Sequence, residues 1–407
     1  MRSVAERDLP RLGAGAFEKR LQILHALRAT AGMSKVELSR RLRMSPTTSG
    51  ALVVDLMNAG LVVTDGFGLS TGGRPPERLV LNPEWPLALG IDLGETDVHL
   101  GVFNLRGDRI AVERAPFKRN GDQVRLGQIL QRARRLAEGH PQVAAVGLAV
   151  PGVVDREAGI VRNAANIGWY DLDAGAECAA VLHQPVSIDR NTNAALLGEE
   201  WWGTGASADP IVLVTLGSGI GAAVKVNGRL ILGASASAGQ FGHIPVDPNG
   251  PLCACGKRGC LEAMASSRAL LRRYGELRTD GSPRRATVRS ISDAARSGDP
   301  AAIRALMEVA ERLGMGLVTL VNLFNPRQII LGGELMDAEE IILPTVRRAI
   351  VERALGISAE VARISVSTFR DEAALVGAAA LAFESLFHRV ANVPVAPGRA
   401  PRHDHFD

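Results

Sequence analysis

An α/β fold preceded by a small winged helix-turn-helix is the architecture this sequence predicts. Three observations carry it. Helical periodicity with capping residues runs over positions 17–60, an alternating segment with two glycine turns follows over 61–82, and from about Trp85 strand-like runs alternate with amphipathic helices. At 407 residues the chain exceeds one ordinary core, so two or three domains are expected.

In the front segment Phe17, Leu21, Leu24 and Leu27 recur at helical spacing, and Leu38 and Leu42 repeat the pattern after Ser34, an N-cap with Glu37 three residues on. A third helix is expected where Ser45 caps, Pro46 occupies the first turn and Gly60 ends the run in left-handed geometry. LVVTDGFGLSTGGRPPERLVLN then alternates apolar and polar residues around Asp65-Gly66, which reads as a two-stranded wing.

In such a unit the third helix enters a DNA major groove. Ser45, Thr47, Thr48 and Ser49 at its start are candidates to meet bases or phosphates, and Arg43 and Arg74 supply cations on the flanking turn and the wing. Charge points the same way: residues 1–84 hold 12 Lys and Arg against 8 Asp and Glu, while the remainder is balanced at 35 of each. A protein-binding or dimerisation arm is the competing reading of these helices.

From Trp85 onward LALGIDLG, HLGVFNL, AAVGLAV, PVSID, IVLVTLG, GAAVKVNG, RQIILGG and RISVST read as strands, with helical stretches between them. No segment supplies the ~18 uncharged apolar residues of a membrane span, and the N-terminus lacks a secretion signal. A cytoplasmic location without disulfides and with no membrane partner is expected. NVPVAPGRAPRHDHFD at the end has the composition of a disordered tail.

Two glycine-rich strand-turn-strand segments can bring backbone amides close to an anion: one carries Asp92, Gly94 and Thr96, the other Thr215, Gly217, Gly219 and Gly221. The sharpest motif is GHIPVDPNGPLCACGKRGCLE. His243, Cys253, Cys255 and Cys260 offer one imidazole and three thiolates, a complete tetrahedral shell for a structural Zn²⁺ with no position left open. Cys178 lies outside it and reads as core.

The order of these segments, and above all the run from His243 to Glu262, resembles the ROK family of repressors, open reading frames and kinases, built on a duplicated actin-like, sugar-kinase (ribonuclease H-like) fold. The extension ending in STGGRPPERLVLN resembles the family's regulators of sugar genes and not its stand-alone kinases. The resemblance implies a winged helix-turn-helix at 1–84, a first lobe of 85–190 plus 372–390, a second lobe of 191–371 and a tail of 391–407. It also implies a homodimer or tetramer.

In family kinases an Asn-Asp-Ala-Asn run supplies the Asp that activates the sugar hydroxyl. Here IDRNTNAALLGEE puts Asn191 at that position and Arg190 before it, and an amide cannot take the proton. DLGETD replaces a DxGGTK-like loop, so Glu95 and Asp97 add negative charge where a triphosphate would lie. Gln240 stands where the family usually has Glu. By carry-over Asn166, Arg190, Asn191, Gln240, His243 and Glu262 are the candidates to bind an effector, with Arg190 either contacting the anion of a sugar phosphate or pairing with Glu199 or Asp189. The expectation is a non-enzymatic, sugar-controlled DNA-binding regulator, a repressor before an activator, with double-stranded operator DNA as partner; an active sugar kinase and a regulator controlled by a protein are the alternatives.

Overall fold

Two five-stranded sheets of one topology form the body of the molecule, whose computed structural model describes residues 14–68, 75–94, 96–116, 119–120, 123–205, 208–278 and 286–392. The front unit contains α1 (Ala14–Ala29), α2 (Lys35–Arg41) and α3 (Pro46–Asn58). Ser34 Oγ accepts from the Glu37 amide at 3.2 Å while Glu37 accepts from the Ser34 amide at 2.7 Å, a reciprocal capping box. Ser45 Oγ accepts from the Thr48 amide at 3.1 Å, and Gly60, at φ +75°, follows the end of α3 as expected.

β1 (Val62–Phe67) and β2 (Glu77–Leu81) pair antiparallel to make the wing. Asp65-Gly66 is not its turn. The strand continues through both residues, and the pairing register shifts between Thr64 and Phe67, so Gly66 at φ +68° accommodates a bulge. The connection at 69–74, and with it Arg74, lies outside the described residues.

β3 (Leu87–Leu93), β4 (Asp97–Phe103) and β5 (Arg109–Pro116) form a meander, followed by the short ladder of β6 (Arg119–Asn120) and β7 (Gln123–Val124), then α4 (Leu126–Glu138) and β8 (Val143–Val150). A side sheet of β9 (Val153–Asp155), β10 (Ile160–Ala164) and β11 (Trp169–Leu172) leads to α5 (Ala174–Leu182) and β12 (Val186–Arg190). The first sheet has the order β5-β4-β3-β8-β12, with β8 and β12 added in parallel to β3.

After α6 (Asn191–Trp202) come β13 (Ile211–Leu216), β14 (Ile220–Val226), β15 (Arg229–Leu230), a long loop and four helices: α7 (Leu261–Ala265), α8 (Ser267–Leu277), α9 (Val288–Arg296) and α10 (Pro300–Phe324). β16 (Gln328–Gly332), α11 (Glu339–Arg353), α12 (Gly356–Val361) and β17 (Arg363–Val366) complete the second sheet, ordered β15-β14-β13-β16-β17. Three antiparallel strands followed by two parallel ones recur in both sheets, which is the duplication the fold implies.

The last helix, α13 (Ala373–Ala391), returns to the first sheet and packs on β3, β8 and α6. Glycine permits this approach: a Cβ on Gly147 of β8 would lie 1.7 Å from the carbonyl oxygen of Ala378. The stretch Arg370–Ala391 is apolar and long enough to cross a bilayer, yet 67% of its apolar window is buried inside the molecule, as a core helix would be.

The front unit is not a tethered bead. Ile23, Leu24, Leu27, Leu52 and Leu56 belong to one continuous apolar cluster with Phe103, Leu105, Trp201, Phe383 and Phe387. Polar ties reinforce the seam. Arg20 donates to Asp55 of α3 at 2.5 Å and to the carbonyl of Ala391 at 3.2 Å, so one guanidinium joins the third helix to the end of α13.

Candidate functional site

Between the two sheets lies a polar cleft of about 510 Å³. Duplication explains its place, because β3 and β13 both end there in tight turns, at Gly94 and at Gly217-Ser218-Gly219. Of the six effector candidates, the cleft wall includes Asn166, Arg190, Asn191, Gln240 and Glu262. His243 is the exception, lying outside that wall among the cysteines.

Asn191 opens α6, and its Oδ1 accepts from the Thr192 amide at 2.8 Å. Glu262 Oε2 accepts from the Ile220 amide at 3.0 Å, fixing the second glycine turn. Arg190 is engaged by main chain: it donates to the carbonyls of Ala238 at 2.7 Å and Ala222 at 2.6 Å and to Asn193 Oδ1 at 3.2 Å. Its side chain therefore does not pair with Glu199, nor hydrogen-bond Asp189, which instead faces Arg156 at 3.4 Å. A guanidinium so occupied is a brace, with few donors left to read a phosphate.

Asp97 is similarly committed. It pairs with Arg114 at 2.5 Å, so part of its negative charge is countered within the protein. Repulsion of a triphosphate by Asp97 is correspondingly weaker than the sequence alone suggests; Glu95 lies outside the described residues.

The four metal-ligand candidates converge. One donor atom from each of His243, Cys253, Cys255 and Cys260 lies within 4.8 Å of the others, with His243 Nδ1 3.8 Å from Cys253 Sγ and Cys255 Sγ 3.7 Å from Cys260 Sγ. A tetrahedral thiolate site has S–S edges of roughly 3.8 Å. Donor set and spacing therefore fit a metal ion. The loop is shaped for it: the Cys253 amide donates to Lys257 O at 2.7 Å, and Gly259 at φ +68° is so close to Asp247 that an added Cβ would lie 1.6 Å from its carbonyl oxygen. Cys178 is buried, and burial pushes its thiol up to about 12.

On the front unit, Arg43 is exposed at φ +53° in the turn between α2 and α3, and Ser45 and Thr47 are exposed while Thr48 is half-buried. Ser49 is a correction. It is 0% exposed, because one step along a helix rotates a side chain by about 100°, from the outer face into the core. The outer face of α3 continues instead through Ala51, Val54 and Asn58, which periodicity alone would have located from Thr47.

Comparison with known proteins places this architecture. A winged helix-turn-helix DNA-binding model matches residues 17–63, and the ROK family model matches residues 88–385. The chain belongs to the ROK family. A xylose repressor of Caldicellulosiruptor bescii is 30% identical over 90% of this ROK chain and 96% of its own, and a glucokinase of Thermotoga maritima is 33% identical over 73% and 98%. The solved structure of a ROK transcriptional regulator, a homologue of the E. coli MLC protein, is 25% identical with a TM-score of 0.79 and covers 92% of this chain and 98% of its own. A ROK glucokinase from Streptomyces griseus, solved with glucose and AMPPNP, is 31% identical with a TM-score of 0.65 over 73% and 99%. These two kinases span nearly their whole length within about three quarters of this chain, whereas the two regulators match nine tenths of it.

Beside Asp92, the ROK domain also holds cleft residues that the sequence did not single out, His99 and Arg114 among them. Strand register places Asp92 opposite His99 and His99 opposite Arg114, so β3, β4 and β5 present a row of carboxylate, imidazole and guanidinium at one end of the cleft. The alternation of Asp97 and His99 along β4 was available in the sequence, but the cross-strand register was not. Arg370 and Asp371, before α13, close the same end.

Burial, reinforced by the nearby Asp97 carboxylate, raises Asp92 from 3.8 to about 7. The folded protein then holds a proton that the unfolded chain has released, so this group makes stability fall as pH climbs from about 4 through about 7, with no further loss above. Asp92→Asn needs no such proton. Urea unfolding at pH 5 and pH 8 should show a smaller pH dependence in the variant, with a gain at pH 8 on the order of 4 kcal/mol at most. Identical slopes in both proteins would contradict this account.

Proposed function

We propose that this ROK protein is a DNA-binding repressor of carbohydrate genes, whose kinase-like domain binds a sugar without phosphorylating it. The observation carrying this reading is that two helices begin at the cleft and end against the DNA-binding unit. Asn191, Thr192 and Ala195 of α6 line the cleft, while at its other end Glu200 O accepts from Arg28 of α1 at 2.7 Å. Ala373 and Ala374 of α13 line the cleft, and Ala391 O at the far end accepts from Arg20, the partner of Asp55. Rods of roughly 18 and 28 Å thus span the distance between sugar and DNA.

Sugar binding would shift the two lobes, and movement of α6 and α13 would be felt directly by α1 and α3. We divide the lobes at the start of α6, with α13 returning to the first. Asn166, Asn191, Gln240 and Glu262 would hydrogen-bond the hydroxyls. Arg190 would position Asn191 and the loop at Ala238, while Arg43, Ser45, Thr47 and Thr48 would face the operator. Two copies of the chain would read a pseudo-palindromic site. The names of the relatives favour D-xylose or D-glucose as effector.

Asn191 supports loss of catalysis, since its amide cannot act as the base that kinases of the family place there. We assign Zn²⁺ to His243, Cys253, Cys255 and Cys260. With all four positions filled by protein, the metal would hold the loop and carry no chemistry. It would anchor Glu262, two residues beyond Cys260, in the cleft.

Fluorescence anisotropy on duplex DNA from upstream of the protein's own gene tests the regulator. Salt-sensitive binding is expected to weaken at least tenfold with D-xylose or D-glucose, and no ADP should form when ATP is added. Specific binding that no sugar alters would remove the effector, and sugar-dependent ADP release would restore the kinase reading.

A further inference from the structure

The outer face of α3 carries no charge. Its exposed residues are Thr47 and then, four, seven and eleven positions on, Ala51, Val54 and Asn58, the spacing of one side of a helix. Val54 is 47% exposed, and the acid beside it, Asp55, is held by Arg20 at 2.5 Å. Gly50 lies at the edge of the same stripe. Glycine weakens a helix interior, and packing within the protein does not require it here, since an added Cβ would meet no neighbouring atom within 4 Å. What the missing side chain provides is a close approach of the α3 backbone to whatever it faces.

Chemistry selects what such a face reads. In the major groove guanine is read by arginine or lysine, adenine by asparagine or glutamine, and cytosine by a carboxylate, whereas the thymine C5 methyl is met by alanine or another aliphatic group. None of the hydrogen-bonding readers stands at position 47, 50, 51 or 54, and the one amide of the stripe, Asn58, is the last residue of the helix. Methyl groups pressed on the edge of a G·C pair cover donors and acceptors without satisfying them; over a thymine methyl they bury apolar surface on both sides. Exposed Arg40 and Arg43 before the helix supply cations for phosphates, which fix the register and carry no sequence information.

We propose that α3 selects its operator half-site through thymine C5 methyl groups, contacted by Ala51 and Val54. This rests on the DNA-binding reading above and adds the chemistry of the bases. From Thr47 to Val54 the helix rises roughly 10 Å, about three base-pair steps, so the contacted thymines fall within one short run of each half-site.

The test starts from a random-sequence duplex pool enriched on the full-length protein. The winning site is remade with deoxyuridine in place of thymidine, which removes the methyls and keeps the base pairs. In anisotropy titrations at one salt concentration the uracil duplex is expected to bind roughly tenfold more weakly or worse. Val54→Ser, an exposed change, should narrow that ratio by about threefold or more, whereas Arg43→Ala should weaken both duplexes equally and flatten the salt dependence. A winning half-site without thymine, equal affinity for the two duplexes, or a ratio unchanged in Val54→Ser would overturn the methyl contact and leave the regulator standing. Enrichment of no sequence at all would overturn both.

Discussion

Replacing Gly377 by alanine is expected to lower the melting temperature by roughly 10 °C, a cost of about 3 kcal/mol or more. A Cβ at this position would lie 1.7 Å from the carbonyl oxygen of Ala194 and 2.1 Å from its carbon. Both are backbone atoms of α6, so no rotamer change relieves the clash. The helices must separate. From the other side, a Cβ on Gly198 would come within 2.8 Å of the Gly377 amide nitrogen, so the crossing is tight in both directions. Gly275 in α8 is the control: a Cβ added there would meet no neighbouring atom within 4 Å, and alanine should be neutral or stabilising by roughly 0.5–1 kcal/mol. Differential scanning calorimetry of the two variants separates a packing effect from helix propensity, and equal melting temperatures would refute the close crossing. Under the proposed function the same substitution should also blunt the response of DNA binding to sugar, because α6 and α13 connect the two sites.

The second large effect concerns the metal cluster. Purified protein is expected to carry one zinc per chain, and Cys260→Ser to lose it, with a fall in melting temperature above roughly 10 °C. Cys260 is 1% exposed, and binding energy on the order of 10 kcal/mol is at stake when a closed zinc site is dismantled. The consequence should reach the cleft. Glu262 follows two residues later and accepts from the Ile220 amide, so a loosened loop releases the second glycine turn and sugar affinity falls with metal content. Cys178→Ser supplies the comparison, since that buried thiol lies outside the cluster and its loss should leave zinc in place. Elemental analysis with thermal unfolding decides the matter, and full zinc occupancy in Cys260→Ser would exclude that residue as a ligand.

Signals acting within one turn or one loop were readable from the chain. The capping box at Ser34 and Glu37, the cap at Ser45 and the stop at Gly60 involve residues within a few positions of one another, so local chemistry decides them. The convergence of His243 with Cys253, Cys255 and Cys260 was equally legible, because few arrangements place three thiols and an imidazole at such short spacing. Where the reading failed, a distant partner decided. Asp65-Gly66 resembles a hairpin turn, yet continued pairing with β2 carried the strand through it as a bulge. Ser49 looked like part of a polar face, but packing of α3 turned it inward.

Residue order alone thus specified the winged unit, the alternation of strands and helices, the cluster of one histidine and three cysteines and the amide at position 191. Long-range packing settled the rest: Arg190 is spent on the carbonyls of Ala222 and Ala238, Asp92, His99 and Arg114 stand in one row, and α6 and α13 cross without a side chain between them at Gly377. The reason is physical. Caps and ligand clusters are set by short-range geometry, whereas the charge state of Asp92, the availability of a guanidinium and the closeness of two helices depend on groups brought together from far along the chain.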